Sequence, residues 1–194
     1  GDLRDLHSFP TRRSSDLVRF LDSMKLPVDQ EFYISMNLCP TELQDKKLVS
    51  DMVRVLDESG VPHRRLVIEL TERTLLTDLP AANSVLAGLR KEGIRVAIDD
   101  FGTGFSSLSY LKNLKVDTLK IDRSFIKDYP ESDDGSILKA IVGMAFELDM
   151  HVVAEGVETQ VQLDFLRQIG CGAYQGFLFS RAVDSHRFLE LLKS

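Results

Sequence analysis

The feature that most constrains this chain is a regular alternation of short apolar runs with longer amphipathic segments. The apolar runs are rich in β-branched residues, which favours strands, and the segments between them repeat apolar residues with helical spacing. The predicted strands span residues 32–38, 66–70, 94–99, 116–121, 152–154 and 173–175. Regular alternation of strand and helix predicts a parallel sheet, either open and doubly wound or closed into a barrel.

Two of the amphipathic segments carry a clear helical stripe. Apolar residues recur at i, i+3, i+4 and i+7 in Ala82, Val85, Leu86 and Leu89, and again in Ile137, Ala140, Ile141 and Met144. We expect these stripes to cover the sheet. Residues suited to ending or capping helices are found at Gly60, Gly93, Gly170, Thr159 and Asp184.

Polar side chains stand at or just beyond the carboxyl end of almost every predicted strand. They are Asn37, Glu69, Asp99, Lys120, Glu155 and Gln175. In a closed βα barrel these strand ends converge on one mouth, whereas an open sheet concentrates its site near one crossover. The recurrence therefore favours a TIM-like (β/α)8 barrel. Because a complete barrel needs about 240 residues, residues 18–194 are expected to hold about six of its eight βα units.

Charge and composition argue against two classes of partner. The 194 residues include 30 acidic and 24 basic residues, a net charge of −6 that opposes binding to polynucleotide phosphates. No run of about 18 uninterrupted apolar residues is present, so no membrane span is predicted. Two cysteines in a chain of this size indicate reduced thiols and a cytoplasmic setting rather than a disulfide framework.

The first 17 residues differ from the rest of the chain. Residues 1–17 lack any helical or alternating apolar period, as an exposed linker would. Residues 7–17, HSFPTRRSSDL, resemble the translation of a sequencing-library adaptor. We expect residues 1–17 to be non-native or disordered and residues 18–194 to form a partial domain.

The oxygen-bearing side chains among the strand ends suit a hard divalent metal. Asn37, Glu69, Asp99 and Asp100 offer amide and carboxylate ligands without a histidine or cysteine among them, which favours Mg²⁺ or Mn²⁺ over zinc. Bringing these acids together with Glu155 would cost several kcal/mol unless cations neutralise them, and adjacent Asp99 and Asp100 could bridge two ions. A lone Asp-Asp pair is more often a strand end followed by a helix cap, and it is the accompanying acids that favour a metal site here.

Lys120 lies inside an otherwise apolar strand, where its ammonium group needs an anionic partner. Asp122 shares its face of the strand and would give a structural ion pair. Alternatively, Lys120 orients an attacking water or stabilises charge on a phosphoryl oxygen. Residues 101–107, FGTGFSS, suit a turn, a phosphate contact or a mobile lid. Glu72 and Glu158 are either helix-start acids or functional residues.

Six motifs occur in order along the chain. They are SMNL at 35–38, IELTE at 68–72, IDDFGTGFSSLSYL at 98–111, LKIDRSF at 119–125, VVAEGVET at 152–159 and QGFLF at 175–179. Together they resemble the EAL-domain family of cyclic di-GMP phosphodiesterases over residues 18–194. The resemblance implies a (β/α)8 barrel that uses two Mg²⁺ or Mn²⁺ ions to hydrolyse cyclic di-GMP to linear pGpG.

The resemblance also implies roles for individual residues. The implied metal ligands are Asn37, Glu69, Asp99 and Asp100. Lys120 resembles a water-holding lysine, Glu155 a carboxylate for metal or general-base work, and Glu72 an acid that anchors the loop of residues 100–109. The implied substrate contacts are Gln175, Gly176 and Phe177, with Asp122 and Glu158 as supporting residues.

The Glu-Ala-Leu segment that names the family, with its metal-binding glutamate and substrate-binding arginine, is not in this chain. It would precede Val18, so we expect the chain by itself to be inactive. Two other functions stay open: a receptor that binds cyclic di-GMP without hydrolysing it, and a lyase barrel in which Lys120 forms a Schiff base. For the complete protein we expect a homodimer and an upstream sensor or diguanylate cyclase domain.

Overall fold

The computed structural model describes residues 33–102, 111–112, 114–131, 134–184 and 187. Within them, six strands form one sheet whose neighbours are all parallel. The strands are β1 (Ile34–Asn37), β2 (Leu66–Thr71), β3 (Arg95–Phe101), β4 (Thr118–Ile121), β5 (His151–Ala154) and β6 (Ala173–Tyr174). All six predicted strands are confirmed. The predicted N-terminal segment 1–17 and most of the predicted lid lie outside the described residues.

The strands lie in the sheet in the order of the sequence, from β1 to β6. A doubly wound sheet reverses its strand order at a crossover, and this sheet does not. Because parallel crossovers are right-handed, crossovers that always advance in one direction place their helices on the same face. The sheet is therefore an arc of a TIM-like (β/α)8 barrel, with helices outside and the other face turned inward. The predicted fold class is confirmed.

Helices connect the strands along the outer face of the sheet. Those with described bounds are α1 (Leu48–Ser59), α2 (Glu72–Thr77), α3 (Leu79–Lys91), α4 (Ser136–Glu147) and α5 (Gln160–Gln168). Short 3-10 turns lie at Glu42–Gln44, His63–Arg65 and Arg123–Phe125. The turn Arg123–Phe125 follows β4 directly, which places it at the carboxyl edge of the sheet.

Successive residues of each strand point to opposite faces of the sheet. On the outer face, Ile98 and Leu119 are completely buried in the hydrophobic core between sheet and helices. The residues that follow them, Asp99 and Lys120, face inward and contact each other across the strands. The apolar core thus lies between sheet and helices, whereas the inner face carries these charged groups together with a few smaller apolar side chains.

The predicted stripe of α3 is confirmed, since its four apolar residues are all buried. The predicted face of α4 is only partly confirmed, because Ile141 and Met144 pack against the core at the edge of the buried side. Leu138, Val142 and Ala145 form the buried side of α4, whereas Ile137 is 56% exposed. Apolar residues occupy two neighbouring faces of this helix, so the spacing alone cannot select the face that meets the sheet.

The helix ends follow the predicted capping chemistry. The predicted glycines have positive φ angles at Gly60, Gly93 and Gly170. Thr159 accepts a hydrogen bond from the Gln162 N–H, and the Gln162 side chain accepts one from the Thr159 N–H, which completes a capping box. Asp184 accepts a hydrogen bond from the Arg187 N–H at 2.9 Å, the contact expected of the predicted cap.

Neither cysteine is paired: Cys39 is an exposed thiol and Cys171 a buried one. Burial raises the pKa of the Cys171 thiol, which lowers its reactivity. Across the described part of the chain, every helix is too short or too polar to cross a membrane.

Candidate active site

Lys120 lies at the centre of three carboxylates on the inner face of the sheet, close to its carboxyl edge. We call this region the inner mouth. Its Nζ atom is 2.9 Å from Glu69 Oε2, 2.7 Å from Asp99 Oδ1 and 2.7 Å from Glu155 Oε1. The acids come from β2, from β3 and from the residue after β5, so the register of neighbouring parallel strands assembles the cluster. The structure thus brings together four of the side chains predicted to converge at the strand ends.

The predicted ion pair between Lys120 and Asp122 is wrong. Asp122 caps the 3-10 turn Arg123–Phe125, where its Oδ1 accepts a hydrogen bond from the Ser124 N–H at 3.0 Å. Burial favours a higher pKa for Asp122, but the hydrogen bonds from Ser124 outweigh burial and hold the pKa below its usual value. The acids that pair with Lys120 lie on other strands, where the local sequence could not reveal them.

The surroundings of Lys120 keep its amine protonated. Burial by itself lowers the pKa of this amine, but hydrogen bonds to Asp99, Glu155 and Glu69 outweigh burial and raise the pKa above its usual value. A lysine that forms a Schiff base must first lose a proton. The environment of Lys120 therefore opposes the lyase hypothesis.

Asp100 reaches the same cluster through an irregularity in β3. Strict alternation would direct Asp99 and Asp100 to opposite faces of the sheet. The β3–β4 register shifts between Ile98 and Phe101, and Asp100 has a left-handed φ of 53°. Irregularities of this kind re-aim side chains. As a result, carboxylate oxygens of Asp99, Asp100 and Glu155 lie within 4.8 Å of one another.

The cluster holds more negative charge than Lys120 can balance. Burial raises the pKa of Asp100, and the nearby charge of Asp99 adds to the rise. Burial also raises the pKa of Glu155, although the hydrogen bond from Lys120 opposes the rise. Burial and neighbouring acids thus disfavour the charged form of both carboxylates, and a divalent cation would favour it.

The available donor atoms fit such a cation. The carboxylates of Asp99, Asp100 and Glu155 are hard oxygen ligands of the kind that Mg²⁺ and Mn²⁺ prefer. Asn37 pairs with Glu69 in the register of β1 and β2, so these two residues lie side by side at the same edge of the sheet. Asn37 is exposed, which leaves its amide oxygen accessible to an ion.

Glu72 and Phe125 hold the start of the loop that follows β3. Thr71 caps α2 by accepting a hydrogen bond from the Thr74 N–H at 3.2 Å, and Glu72 follows as a fully buried acid. Its Oε2 accepts a hydrogen bond from the Gly102 N–H at 3.2 Å. Gly102 has a φ of 94°, and a side chain there would collide with the Phe125 ring. Residues 103–110 of this loop lie outside the described residues.

A cavity of about 670 Å³ adjoins the carboxylate cluster at Glu155. The predicted substrate and supporting residues line it, namely Gln175, Gly176, Phe177, Asp122 and Glu158. Gln175 Nε2 donates a hydrogen bond to Glu155 Oε1 at 3.0 Å. Gly176 passes so close to the backbone of Val157 that no side chain would fit there. The cavity and the cluster therefore share Glu155 and Gln175.

Sequence reasoning did not single out three residues of this region. Arg123 and Arg181 line the cavity, and the Arg181 guanidinium lies 4.5 Å from the centroid of the Phe177 ring. The four-residue spacing of Phe177 and Arg181, directly after Gln175, is a signal that could have revealed that pair. Nothing local could have revealed Phe125, because its contact with the loop is tertiary.

Comparison with known proteins adds independent information. A family model described as EAL domain matches residues 5–182. Cyclic di-GMP phosphodiesterase NbdA of Pseudomonas aeruginosa is 41% identical over 195 residues, covering 100% of this chain and 24% of NbdA. Bifunctional diguanylate cyclase/cyclic di-GMP phosphodiesterase MucR of the same organism is 39% identical over 160 residues, covering 82% of this chain and 23% of MucR. The chain spans about a quarter of the length of these relatives.

Solved structures share the fold. The PaMucR phosphodiesterase in complex with c-di-GMP superposes with a TM-score of 0.79 at 36% identity, covering 90% of this chain and 70% of that chain. The EAL domain of Mycobacterium smegmatis DcpA gives a TM-score of 0.83 at 34% identity, covering 93% and 80%. Klebsiella pneumoniae BlrP1, in a manganese/cy-diGMP complex, gives a TM-score of 0.78 at 31% identity, covering 87% and 43%.

Proposed function

Because the chain belongs to the EAL domain family, we propose that it forms catalytic machinery of a metal-dependent phosphodiesterase that hydrolyses cyclic di-GMP to linear pGpG. The observation that carries this proposal is the set of carboxylates gathered around Lys120 at the inner mouth of the sheet. Such a set suits the binding of cations that face a phosphodiester.

The proposed ligands of Mg²⁺ or Mn²⁺ are Asn37, Glu69, Asp99 and Asp100. Two such ions would neutralise phosphate charge and make water more acidic at neutral pH. The contribution of the protein itself is to position these ligands. The register of β1 and β2 sets Asn37 beside Glu69, and the irregularity in β3 sets Asp100 beside Asp99.

Lys120 and Glu155 are proposed to act on the attacking water. The ammonium group of Lys120, fixed by its carboxylate partners, orients the water and stabilises charge on the phosphoryl oxygens. Glu155 accepts a proton as the water oxygen attacks phosphorus. One P–O ester bond breaks and the leaving sugar oxygen takes up a proton from solvent, so the cyclic diester becomes a linear product with a terminal phosphate and a free sugar hydroxyl. The hydrogen bond from Gln175 holds the Glu155 carboxylate in place.

The residues beyond the cluster are proposed to bind substrate and to support the site. Gln175, Gly176 and Phe177 line the cavity beside Glu155, where a nucleotide attached to the reacting phosphate would lie. Asp122 and Glu158, on the same cavity, are assigned the supporting role. Glu72 is proposed to anchor the loop after β3 through its hydrogen bond with Gly102.

The sequence contains no Glu-Ala-Leu segment, and we propose that hydrolysis requires one, because it supplies a further glutamate ligand. The test compares the 194-residue chain with a version in which residues 1–17 are replaced by a segment that carries Glu-Ala-Leu. The assay measures pGpG formation with Mn²⁺, and with excess chelator as the control.

We expect turnover by the repaired chain, no turnover in chelator and no turnover by the unrepaired chain. Metal-dependent hydrolysis by the unrepaired chain would contradict the requirement for the added glutamate. A repaired chain that binds cyclic di-GMP without hydrolysing it, in the presence of Mn²⁺, would overturn the phosphodiesterase proposal in favour of a receptor.

For the whole protein we propose a homodimer in the cytoplasm with an upstream sensor or diguanylate cyclase domain. The relative MucR is named as both a diguanylate cyclase and a cyclic di-GMP phosphodiesterase, which supports the proposal of a fused cyclase domain. Light scattering of the full-length protein tests the dimer, and a monomer at all concentrations would contradict it.

A further inference from the structure

We propose that Arg181, stacked on Phe177, recognises a guanine base of the substrate and sets a preference for guanine over adenine. This inference rests on the proposed function and extends it from the phosphodiester to the base. It assigns a specificity role to a residue outside the carboxylate cluster.

The first support is the position of the pair. The Arg181 guanidinium lies 4.5 Å from the Phe177 ring centroid, and both side chains line the cavity of about 670 Å³ that Glu155 and Gln175 also line. A phosphate held near Glu155 would therefore place its attached nucleoside towards this cavity. Phe177 is 58% exposed, so part of its ring is accessible to a ligand in the cavity.

The second support is the set of contacts that the Arg181 guanidinium makes. A cation–π contact holds the guanidinium over the ring without using its N–H donors. Among the residues with described positions, Arg181 has no carboxylate within ion-pair distance. The other arginine of the cavity differs, because Arg123 interacts with the charge of Asp122 and packs its β-carbon against Gly156. Arg181 is thus held beside Phe177, and no acid among the described residues pairs with its donors.

The third support is chemical complementarity. Guanine presents O6 and N7 as two adjacent acceptors, which match the paired donors of arginine, whereas adenine presents the N6 amino donor beside N7. Guanine also carries N–H donors at N1 and N2, and the carboxylates of Asp122 and Glu158 on the same cavity can accept from them. The cavity therefore offers donors and acceptors that suit guanine. Adenine would place its N6 amino donor against the N–H donors of the guanidinium, and two donors cannot form a hydrogen bond.

The chain contains a matched control for this role. Arg167 is also an exposed arginine near an aromatic ring, with its guanidinium 5.7 Å from the Tyr174 centroid and its Nε donating to the Tyr174 hydroxyl at 3.2 Å. It lies outside the cavity that Arg181 lines. Removing Arg167 removes the same charge from the protein without removing a donor from the cavity.

The experiment measures equilibrium binding to the full-length protein by calorimetry, with Ca²⁺ in place of Mg²⁺ or Mn²⁺ to limit turnover. The ligands are cyclic di-GMP, cyclic di-AMP and the hypoxanthine analogue cyclic di-IMP, which keeps O6 and N7 but lacks the 2-amino group. The variants are Arg181→Ala, Arg181→Lys and Arg167→Ala, and thermal unfolding verifies that each is folded.

We expect Arg181→Ala to weaken cyclic di-GMP and cyclic di-IMP binding by at least about tenfold each, while cyclic di-AMP binding stays unchanged. Arg181→Lys should recover part of the loss, and Arg167→Ala should match the parent. Equal losses for all three ligands, or no loss for cyclic di-GMP, would overturn the role of Arg181. If the parent protein does not bind cyclic di-GMP at all, the proposed function itself fails, and this inference fails with it.

Discussion

On the outer face of β3 and β4, Ile98 and Leu119 are completely buried against the helices, whereas Asp99 and Lys120, one residue later in the same strands, face the inner mouth and pair with each other. The outer residues stabilise the fold by about 1.5 to 3 kcal/mol each through apolar burial. The inner charges are tolerated because each has a partner. Alternation along a strand thus separates residues that maintain the fold from residues that form the site.

The most severe way to break the inner face is Lys120→Met. Turnover should fall at least about 10²-fold, since the water loses its positioning group. The free energy of unfolding should fall by about 3 to 5 kcal/mol at pH 8, because one buried and two partly buried acids lose their counter-charge. Burial already raises the pKa of Glu155, and loss of the opposing Lys120 hydrogen bond should raise it further, so protonation of Glu155 should shrink the deficit at pH 5.

Urea unfolding at both pH values measures the effect of Lys120→Met. The matched control is Lys127→Met, whose side chain is 60% exposed and 3.9 Å from Asp128, and whose loss should change the unfolding free energy by less than about 0.5 kcal/mol. A deficit of Lys120→Met that is larger at pH 5 than at pH 8 would contradict the charge account.

Leu119, the outward-facing neighbour of Lys120 in β4, should affect stability without affecting turnover. Leu119→Ala should lower the unfolding free energy by about 2 to 5 kcal/mol through the cavity it leaves. The fraction that stays folded should keep a turnover close to that of the parent, because Leu119 points away from the mouth. Ile137→Ala is the control, since Ile137 is 56% exposed and its loss should cost less than about 0.5 kcal/mol. Loss of turnover in fully folded Leu119→Ala would contradict the assignment of the outer face to stability alone.

Glu72→Ala should affect the site through the loop after β3. It removes the acceptor of the Gly102 N–H, and leaving a buried hydrogen-bonding group without its partner costs about 1 to 3 kcal/mol. Mn²⁺ and cyclic di-GMP affinities should weaken together, as titrations of each would measure. Glu72→Gln should recover part of both, because its amide oxygen can accept the same hydrogen bond. If Glu72→Ala matches the parent, Glu72 is only a helix-start acid.

The periodic features were predictable from sequence, and the contacts between strands were not. The six strands and the stripe of α3 follow from spacing, which is local. The partners of Lys120 depend on the register of neighbouring strands, so the sequence suggested Asp122 instead of Glu69 or Asp99. The inward turn of Asp100 depends on an irregularity that the pattern of residues does not encode.

The smallest expected effect lies at the amino end of the sheet, away from the site. His63 Nδ1 is 2.7 Å from the Glu92 carbonyl oxygen, and its Nε2 is 3.0 Å from Asp57 Oδ1. The hydrogen bond to Glu92 raises the pKa of His63, burial opposes the rise, and Asp57 adds to it. The protonated ring therefore stabilises the fold below about pH 6.5, and this contribution is lost as the pH rises through the higher folded pKa.

His63→Gln should lower the unfolding free energy by up to about 1 kcal/mol at pH 5.5 and by less at pH 8, with turnover unchanged. Urea unfolding at the two pH values measures the difference. A deficit that is equal at both, or larger at pH 8, would contradict the assigned protonation.

The most direct test of the division between the faces compares Asp99→Asn with Ile98→Val in the chain that carries a Glu-Ala-Leu segment. Both variants are assayed for pGpG formation with Mn²⁺ and for thermal unfolding. Asp99→Asn should lose turnover by at least about 10²-fold while its melting temperature changes by less than about 4 °C. Ile98→Val should keep its turnover and lose about 0.5 to 1.5 kcal/mol of stability. Metal-dependent turnover retained by Asp99→Asn would contradict the assignment of the inner mouth as the catalytic site.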